Sequence, residues 1–349
     1  MWGYPTFLAA FPSEFWAFEA QLFLYLVAAW FLARVLRPYS EAGVDAVFLG
    51  CCLNVFVLVY APETLTEVPT LIVILAMAAI WVAGLCRADS WWVTVAGGLL
   101  AGVAITFRPA SVFLPAVWLA GRMAQVKRLR PVHTAVAILA AALPLVPQVR
   151  ENWIHARQLT PLPIKGQPWG LGTRVLRHGA MLKPAGPVSV MYQSPWTWSR
   201  PNNRDWSEWL NLNPAVSAAT LVLHEFTLID EDEIFPYPLT WNPPYRIPFQ
   251  LFNNVMVALG FIGLARLWRR KEPAIRAARL PIAIYLAGFA LVYAFLRTEV
   301  RYGFPVLLLL YPLAVMTVGQ GRVRWVWVGA YTVAALALSE WVRSTVPPM

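Results

Sequence analysis

The chain has 349 residues, of which 59% are hydrophobic and only 13% carry a charged side chain. This mixture excludes an ordinary water-soluble globular protein, in which about a quarter of the residues are charged. The net charge of +10 would suggest a nucleic-acid partner in a soluble domain, but the basic residues of a membrane protein collect in its cytoplasmic loops. We therefore expect membrane lipids, and no nucleic acid, around this chain.

Long apolar stretches predict an all-α polytopic membrane protein, because a helix needs about 20 mainly apolar residues to cross the hydrocarbon core. Ten stretches fit this description, and the fifth is short enough to be a half-crossing helix instead. They lie near residues 15–36, 44–61, 67–86, 91–107, 110–123, 131–149, 249–268, 280–297, 303–318 and 325–342.

Lysine and arginine give these spans an orientation. More than half of the 28 basic residues fall in loops on the same side as the segment after the first helix, and an excess of basic residues marks the cytoplasmic side. Both termini and one large loop are therefore expected outside the cytoplasm. The predicted division is N-terminal helices (1–149), an extracytoplasmic loop region (150–248) and C-terminal helices (249–349). The short outside segments carry only Arg108, Arg297, Arg301 and Arg343.

The large loop is rich in Pro, Trp and Asn, which favours turns over a long independent fold. One helix is predicted near residues 213–229, since Asn213 suits the N-cap and Pro214 the first helical position.

Three outside segments place polar residues beside helix ends: PETLTE at 62–67, the TFRPAS turn around Arg108, and RTEVRYGFP at 297–305. A guanidinium at a membrane interface needs an anionic partner or water, and its fork geometry suits phosphate oxygens. Arg108 and Arg301 are therefore candidates for binding a lipid phosphate. Taken alone, each is better explained as an interfacial side chain or a structural ion pair, such as Arg301 with Glu299 or Glu67. Glu67 also suits a helix-cap carboxylate.

Metal binding is not predicted. The acidic run from Asp230 to Glu233 could hold a divalent cation, but a solvated turn is the favoured interpretation. The four histidines show no ligand spacing, and the three cysteines fall in or at the ends of apolar stretches.

The order of several motifs resembles the membrane-bound GT-C class of glycosyltransferases, and most of all its bacterial protein O-mannosyltransferase-like and aminoarabinose transferase-like branch. The motifs are GYPTFLAAF, ETLTE, GGLLAGVAITFRPASVFLPAVWLAG, RENWIHARQLTPLPIKGQPWGLG and TEVRYGFPVLLLLYPLA.

This resemblance implies an inverting transferase of the cell envelope, set in the cytoplasmic (inner) membrane. It would move a sugar from a polyprenyl-phosphate donor to a lipid, glycan or protein acceptor on the outer face, without a metal or other cofactor. By similarity, the arginine of the family's Arg-Pro stretch falls on Arg108, and its basic-Tyr-Pro signature falls on Arg301, Tyr302 and Pro305.

The chain departs from the family at its start, because the first residues align with the end of the first outside loop. The first helix and the acidic residues expected there are then missing. Either another carboxylate, Glu14 or Glu67, serves as the base, or the start lies further upstream, or the chain is a non-catalytic structural or assembly subunit with a protein partner in the membrane.

Overall fold

The computed structural model describes residues 3–39, 43–60, 66–85, 90–125, 131–160, 180–182, 190–192, 214–230, 245–293, 300–321 and 323–344. The chain divides into two compact units: residues 1–165, 259–289 and 308–323 form the first, and residues 166–258, 290–307 and 324–349 form the second. The three-part division at 149 and 248 stays a prediction.

The described residues are mostly helical, as predicted. The described residues of the N-terminal segment of the first unit form these α-helices: α1 (Gly3–Ala9), α2 (Glu14–Leu36), α3 (Gly43–Cys52), α4 (Val55–Tyr60), α5 (Glu67–Gly84), α6 (Trp91–Phe107), α7 (Leu114–Gln125), α8 (Pro131–Ala142) and α9 (Val146–Ala156).

The second unit contains α10 (Pro214–Ile229), α14 (Trp325–Ser344) and one strand pair that the all-α prediction did not include. The strands β1 (Ala180–Leu182) and β2 (Val190–Tyr192) are antiparallel, with Met181 opposite Met191. A unit boundary falls within each of three further helices, α11 (Arg246–Arg269), α12 (Pro273–Tyr293) and α13 (Phe304–Gly319). The helix predicted in the large loop is confirmed as α10.

Among the described residues, five helical segments are long and apolar enough to cross a membrane: Glu14–Leu36, Glu67–Gly84, Pro131–Ala156, Arg246–Arg269 and Pro273–Tyr293. Two further apolar helices, α6 and α13, are shorter. Large apolar side chains stay exposed on these elements, such as Phe23 at 65% and Leu291 at 68%. Exposed apolar surface of this kind marks an interaction site or a membrane-facing surface, so the chain has several helices suited to a bilayer.

Two predicted apolar stretches are divided in the structure. The stretch near 44–61 forms α3 and α4, because Asn54 lies between them and its Oδ1 accepts the Val57 N–H at 3.4 Å, as an N-cap does. The stretch near 110–123 begins as a 3-10 turn, Pro109–Phe113, before α7.

Small residues let α6 and α8 pack closely in the first unit. A Cβ on Gly98 would lie 2.7 Å from the Ala137 carbonyl oxygen, and one on Gly102 would lie 2.2 Å from that of Ala141. The four-residue spacing of both pairs matches the small-residue pattern of membrane helix interfaces. This packing fixes the direction of α6, whose last residue precedes Arg108.

Candidate functional site

Arg108 directly follows the last residue of α6. Its backbone is extended, with φ −143° and ψ 111°, because a residue before proline is sterically disfavoured in the helical region. The Arg108 N–H still donates to the Ala104 carbonyl at 2.8 Å, and its own carbonyl accepts the Ser111 N–H at 2.9 Å. Backbone hydrogen bonds on both sides therefore fix the point from which the guanidinium extends.

Glu67, the first residue of α5, is the partner of this guanidinium. Its Oε1 lies 3.5 Å from Nη1 of Arg108, and the two residues are only 4% and 7% exposed. The positive end of the α5 dipole also favours a carboxylate at this position. The distance exceeds the roughly 2.8 Å of a strong charge-assisted hydrogen bond. This contact therefore balances the two charges without forming a tight fork.

The helix α1 packs over the end of α6 that carries Arg108. A Cβ on Gly3 would lie 2.5 Å from the Thr106 Oγ1, and the rings of Phe7 and Phe107 meet edge to face at 6.3 Å. One turn beyond Arg108, Val112 is 53% exposed. The ion pair is therefore buried at the end of α6 on which α1 packs.

Glu14, the other carboxylate proposed as a base, lies in the first turn of α2 and is exposed. It makes no ion pair or hydrogen bond with the residues that the structure describes. The structure thus brings Glu67 and Arg108 together, and Glu14 stays available to solvent or to a ligand.

Arg301 and Tyr302 belong to the second unit, in the 3-10 turn Val300–Gly303. The Tyr302 ring centroid lies 6.1 Å from that of Tyr293, and the side chain of Arg301 falls outside the described residues. This turn packs closely on α10. A Cβ on Gly303 would lie only 1.5 Å from the Leu228 carbonyl oxygen, so the contact requires a glycine.

The second unit contains a buried polar network that was not predicted from the sequence. Its centre is Asp230, the residue after α10, which is 0% exposed. Gln250 Nε2 donates to both Asp230 oxygens, at 2.9 and 3.1 Å, and Asn254 Nδ2 donates to Oδ1 at 3.2 Å. Gln250 also donates to the Ser339 hydroxyl. Asp230 is therefore buried rather than in a solvated turn, because these amides replace water around its carboxylate.

The same face of α11 extends this network. Arg246 is 3% exposed and pairs with Glu340 of α14, and the Asn253 amide donates to the Ile229 carbonyl at 2.7 Å. The positions 246, 250, 253 and 254 repeat at the spacing of one helix face. That polar stripe in an otherwise apolar helix was a signal that the sequence offered.

The network fits an anchor better than a metal site. The described residues contain no group of three or more His, Cys, Asp and Glu side chains suited to a metal ion, and the Asp230 oxygens accept amide N–H groups. Hydrogen-bonded polar groups of this kind hold neighbouring elements in one arrangement. Here they attach the end of α10 to α11.

Glu225 is a carboxylate within α10, and its environment differs from that of Asp230, which follows the helix. It is partly buried, and its Oε1 accepts no hydrogen bond in the described structure. Burial raises the pKa of Glu225 from its ordinary value of 4.5 to about 7. A carboxyl with such a pKa exchanges its proton near neutral pH, which is the property of a general base.

No protein-family model, curated protein or solved structure matches this chain.

Proposed function

We propose that the chain is a glycosyltransferase that takes a sugar from a polyprenyl-phosphate donor on the extracytoplasmic side of the inner membrane. The observation that carries the proposal is the buried pair of Arg108 and Glu67 at the ends of two apolar helices, 3.5 Å apart. A buried ion pair contributes little net stability, because desolvation offsets most of the attraction. Retaining an arginine at this depth is better explained by an anion that it binds.

The donor supplies such an anion. When the bond between the sugar and the phosphate breaks, negative charge develops on the phosphate, and a fixed guanidinium stabilises that charge. Arg108 has the required charge and a backbone held by hydrogen bonds on both sides. Glu67 balances the charge of Arg108 while the donor is absent and positions the guanidinium for the phosphate.

The remaining assignments rest on the resemblance. Arg301 and Tyr302 are proposed to contact the lipid phosphate, and Glu14 or Glu67 to deprotonate the acceptor. Pairing with Arg108 suits Glu67 to positioning, whereas the exposure of Glu14 suits contact with an acceptor. The ten-span topology, with residues 150–248 outside, belongs to the same proposal.

The test is transfer by the purified protein in lipid vesicles, measured as release of polyprenyl phosphate from a panel of donors. The panel carries radiolabelled mannose, N-acetylglucosamine or aminoarabinose on undecaprenyl phosphate, and bacterial envelope extract serves as the acceptor. We expect release with at least one donor, reduced about 100-fold or more by Arg108→Ala or Arg301→Ala.

Arg157→Gln is the matched control, because Arg157 is an exposed arginine that stacks on Trp153. It should release polyprenyl phosphate at the wild-type rate. Normal rates in both the Arg108 and Arg301 variants would refute their assignment. No release from any donor would favour the structural or assembly subunit, which predicts instead a stable complex with another membrane protein.

A further inference from the structure

We propose that Glu225 of α10 is the general base of the transfer reaction, serving a donor bound at the turn that carries Arg301 and Tyr302. The inference rests on the proposed function and deepens it. It assigns to Glu225, in place of Glu14 or Glu67, the role that the resemblance gives to an acidic residue of the first outside loop.

The packing of α10 against the Val300–Gly303 turn is the first support. Gly303 meets the Leu228 carbonyl so closely that no side chain fits between the two backbones. Glu225 precedes Leu228 by three residues, and residues three apart lie on neighbouring positions of one helix face. The carboxylate therefore lies about one turn from the contact between α10 and the segment Arg301–Tyr302.

The state of the carboxylate is the second support. Oε1 of Glu225 is buried without a hydrogen-bond partner in the described structure, whereas the nearby Asp230 is held by amides from α11. An unsatisfied buried carboxylate oxygen is costly for folding alone. The same oxygen can accept a hydrogen bond from an acceptor hydroxyl that enters beside the turn.

Among the described residues, the charged and titratable positions on α10, at its end and on the turn packed against it are His224, Asp230, Arg301 and Tyr302. The side chains of His224 and Arg301 lie outside the described structure. The strand β1, which also packs on α10, has none. Tyr331 of α14 interacts with Asp230, and Arg246 belongs to the same network. Desolvation is the cause of the shift in the Glu225 pKa.

The chemical step balances with these groups. Glu225 takes the proton of the acceptor hydroxyl or amine, whose oxygen or nitrogen forms the new bond to the anomeric carbon. The bond from that carbon to the phosphate oxygen breaks, and the electron pair leaves with polyprenyl phosphate. The proton on Glu225 then passes to solvent, which restores the carboxylate.

The test compares Glu225→Gln, Glu225→Asp and Glu14→Gln with wild type in the release assay. We expect Glu225→Gln to lower kcat about 100-fold or more, with unchanged binding of undecaprenyl phosphate. Glu225→Asp should restore part of the rate. The wild-type rate should fall below an apparent pKa near 7, and the residual rate of Glu225→Gln should lose this dependence.

Glu151→Gln is the matched control, since Glu151 pairs only with the exposed His155 at 3.1 Å in the described structure and should tolerate the change. Thermal unfolding and gel filtration are used to check that each variant is folded. A normal kcat in Glu225→Gln, with activity lost in Glu14→Gln, would overturn the inference and leave the transferase intact. Absence of carrier binding and release in wild type would refute the proposed function itself.

Discussion

Two buried carboxylates, Glu67 in the first unit and Asp230 in the second, lie in contrasting environments. Glu67 faces the Arg108 guanidinium at 3.5 Å and also accepts the Thr66 hydroxyl at 3.5 Å. Asp230 instead accepts amide hydrogen bonds from Gln250 and Asn254 at 2.9 to 3.2 Å. A ligand phosphate can replace a carboxylate opposite an arginine. A phosphate cannot replace a carboxylate held by neutral amides without the loss of those amide hydrogen bonds. A buried charged side chain therefore indicates a functional site only where a ligand can replace the group that pairs with it.

The largest effect is expected when Arg108 is removed. Arg108→Ala should weaken binding of undecaprenyl phosphate at least 10-fold and lower the free energy of unfolding by about 3 kcal/mol, because the buried Glu67 carboxylate loses the guanidinium that balances its charge. The measurements are carrier titration and thermal unfolding in detergent.

The double variant Glu67→Gln with Arg108→Met separates the two effects. It should recover most of the stability, since neither charge of this buried pair remains, but it should not recover carrier binding. Normal carrier binding by the double variant would mean that the pair is only structural.

The next largest effect is expected at Asp230, on stability alone. Asp230→Ala removes the carboxylate that accepts hydrogen bonds from the Gln250 and Asn254 amides, and the Gln250 amide keeps only the Ser339 hydroxyl as acceptor in the described structure. We expect a cost of about 3 kcal/mol in unfolding free energy. Asp230→Asn keeps the shape and one acceptor oxygen and should cost less. A loss of carrier binding in a folded Asp230→Asn protein would contradict a purely structural role for Asp230.

A smaller effect is expected from pH at Glu225. Because the pKa of Glu225 is raised to about 7, the folded protein holds a proton that the unfolded chain releases above pH 4.5. Stability should therefore fall as pH rises from 4.5 to 7 and then level off. Solvent screening limits the change to about 1 kcal/mol.

Unfolding temperatures of wild type and Glu225→Gln across this pH range test that expectation. The variant should lack the contribution of Glu225 and show a flatter profile. Parallel profiles would indicate that Glu225 has an ordinary pKa.

The smallest effect is expected for the pair of Arg246 and Glu340. The Glu340 side chain is 50% exposed, so solvent screens the attraction, and Glu340→Gln should cost less than about 1 kcal/mol. Added salt should reduce the difference between the two proteins. A cost as large as that of Asp230→Ala would show that Glu340 is an essential part of the anchor.

The sequence predicted local features well because their causes are local. Pro214 marks the start of α10, and Pro109 turns Arg108 out of α6. Contacts between residues that are distant in the sequence were harder to predict. The sequence suggested Glu299 or Glu67 as a partner for Arg301, whose side chain lies outside the described residues, and it did not indicate the pair of Glu67 and Arg108 that the structure shows. Asp230 reads as part of an acidic run, and only the folded chain places Gln250 and Ser339 beside it.

The most direct test of the central claim is binding of undecaprenyl phosphate, compared with undecaprenol, to wild type and to Arg108→Ala. Tryptophan fluorescence suits the measurement because the chain has 18 tryptophans. We expect wild type to bind undecaprenyl phosphate saturably and not undecaprenol, and Arg108→Ala to bind undecaprenyl phosphate at least 10-fold more weakly. Equal binding of both lipids to both proteins would contradict it.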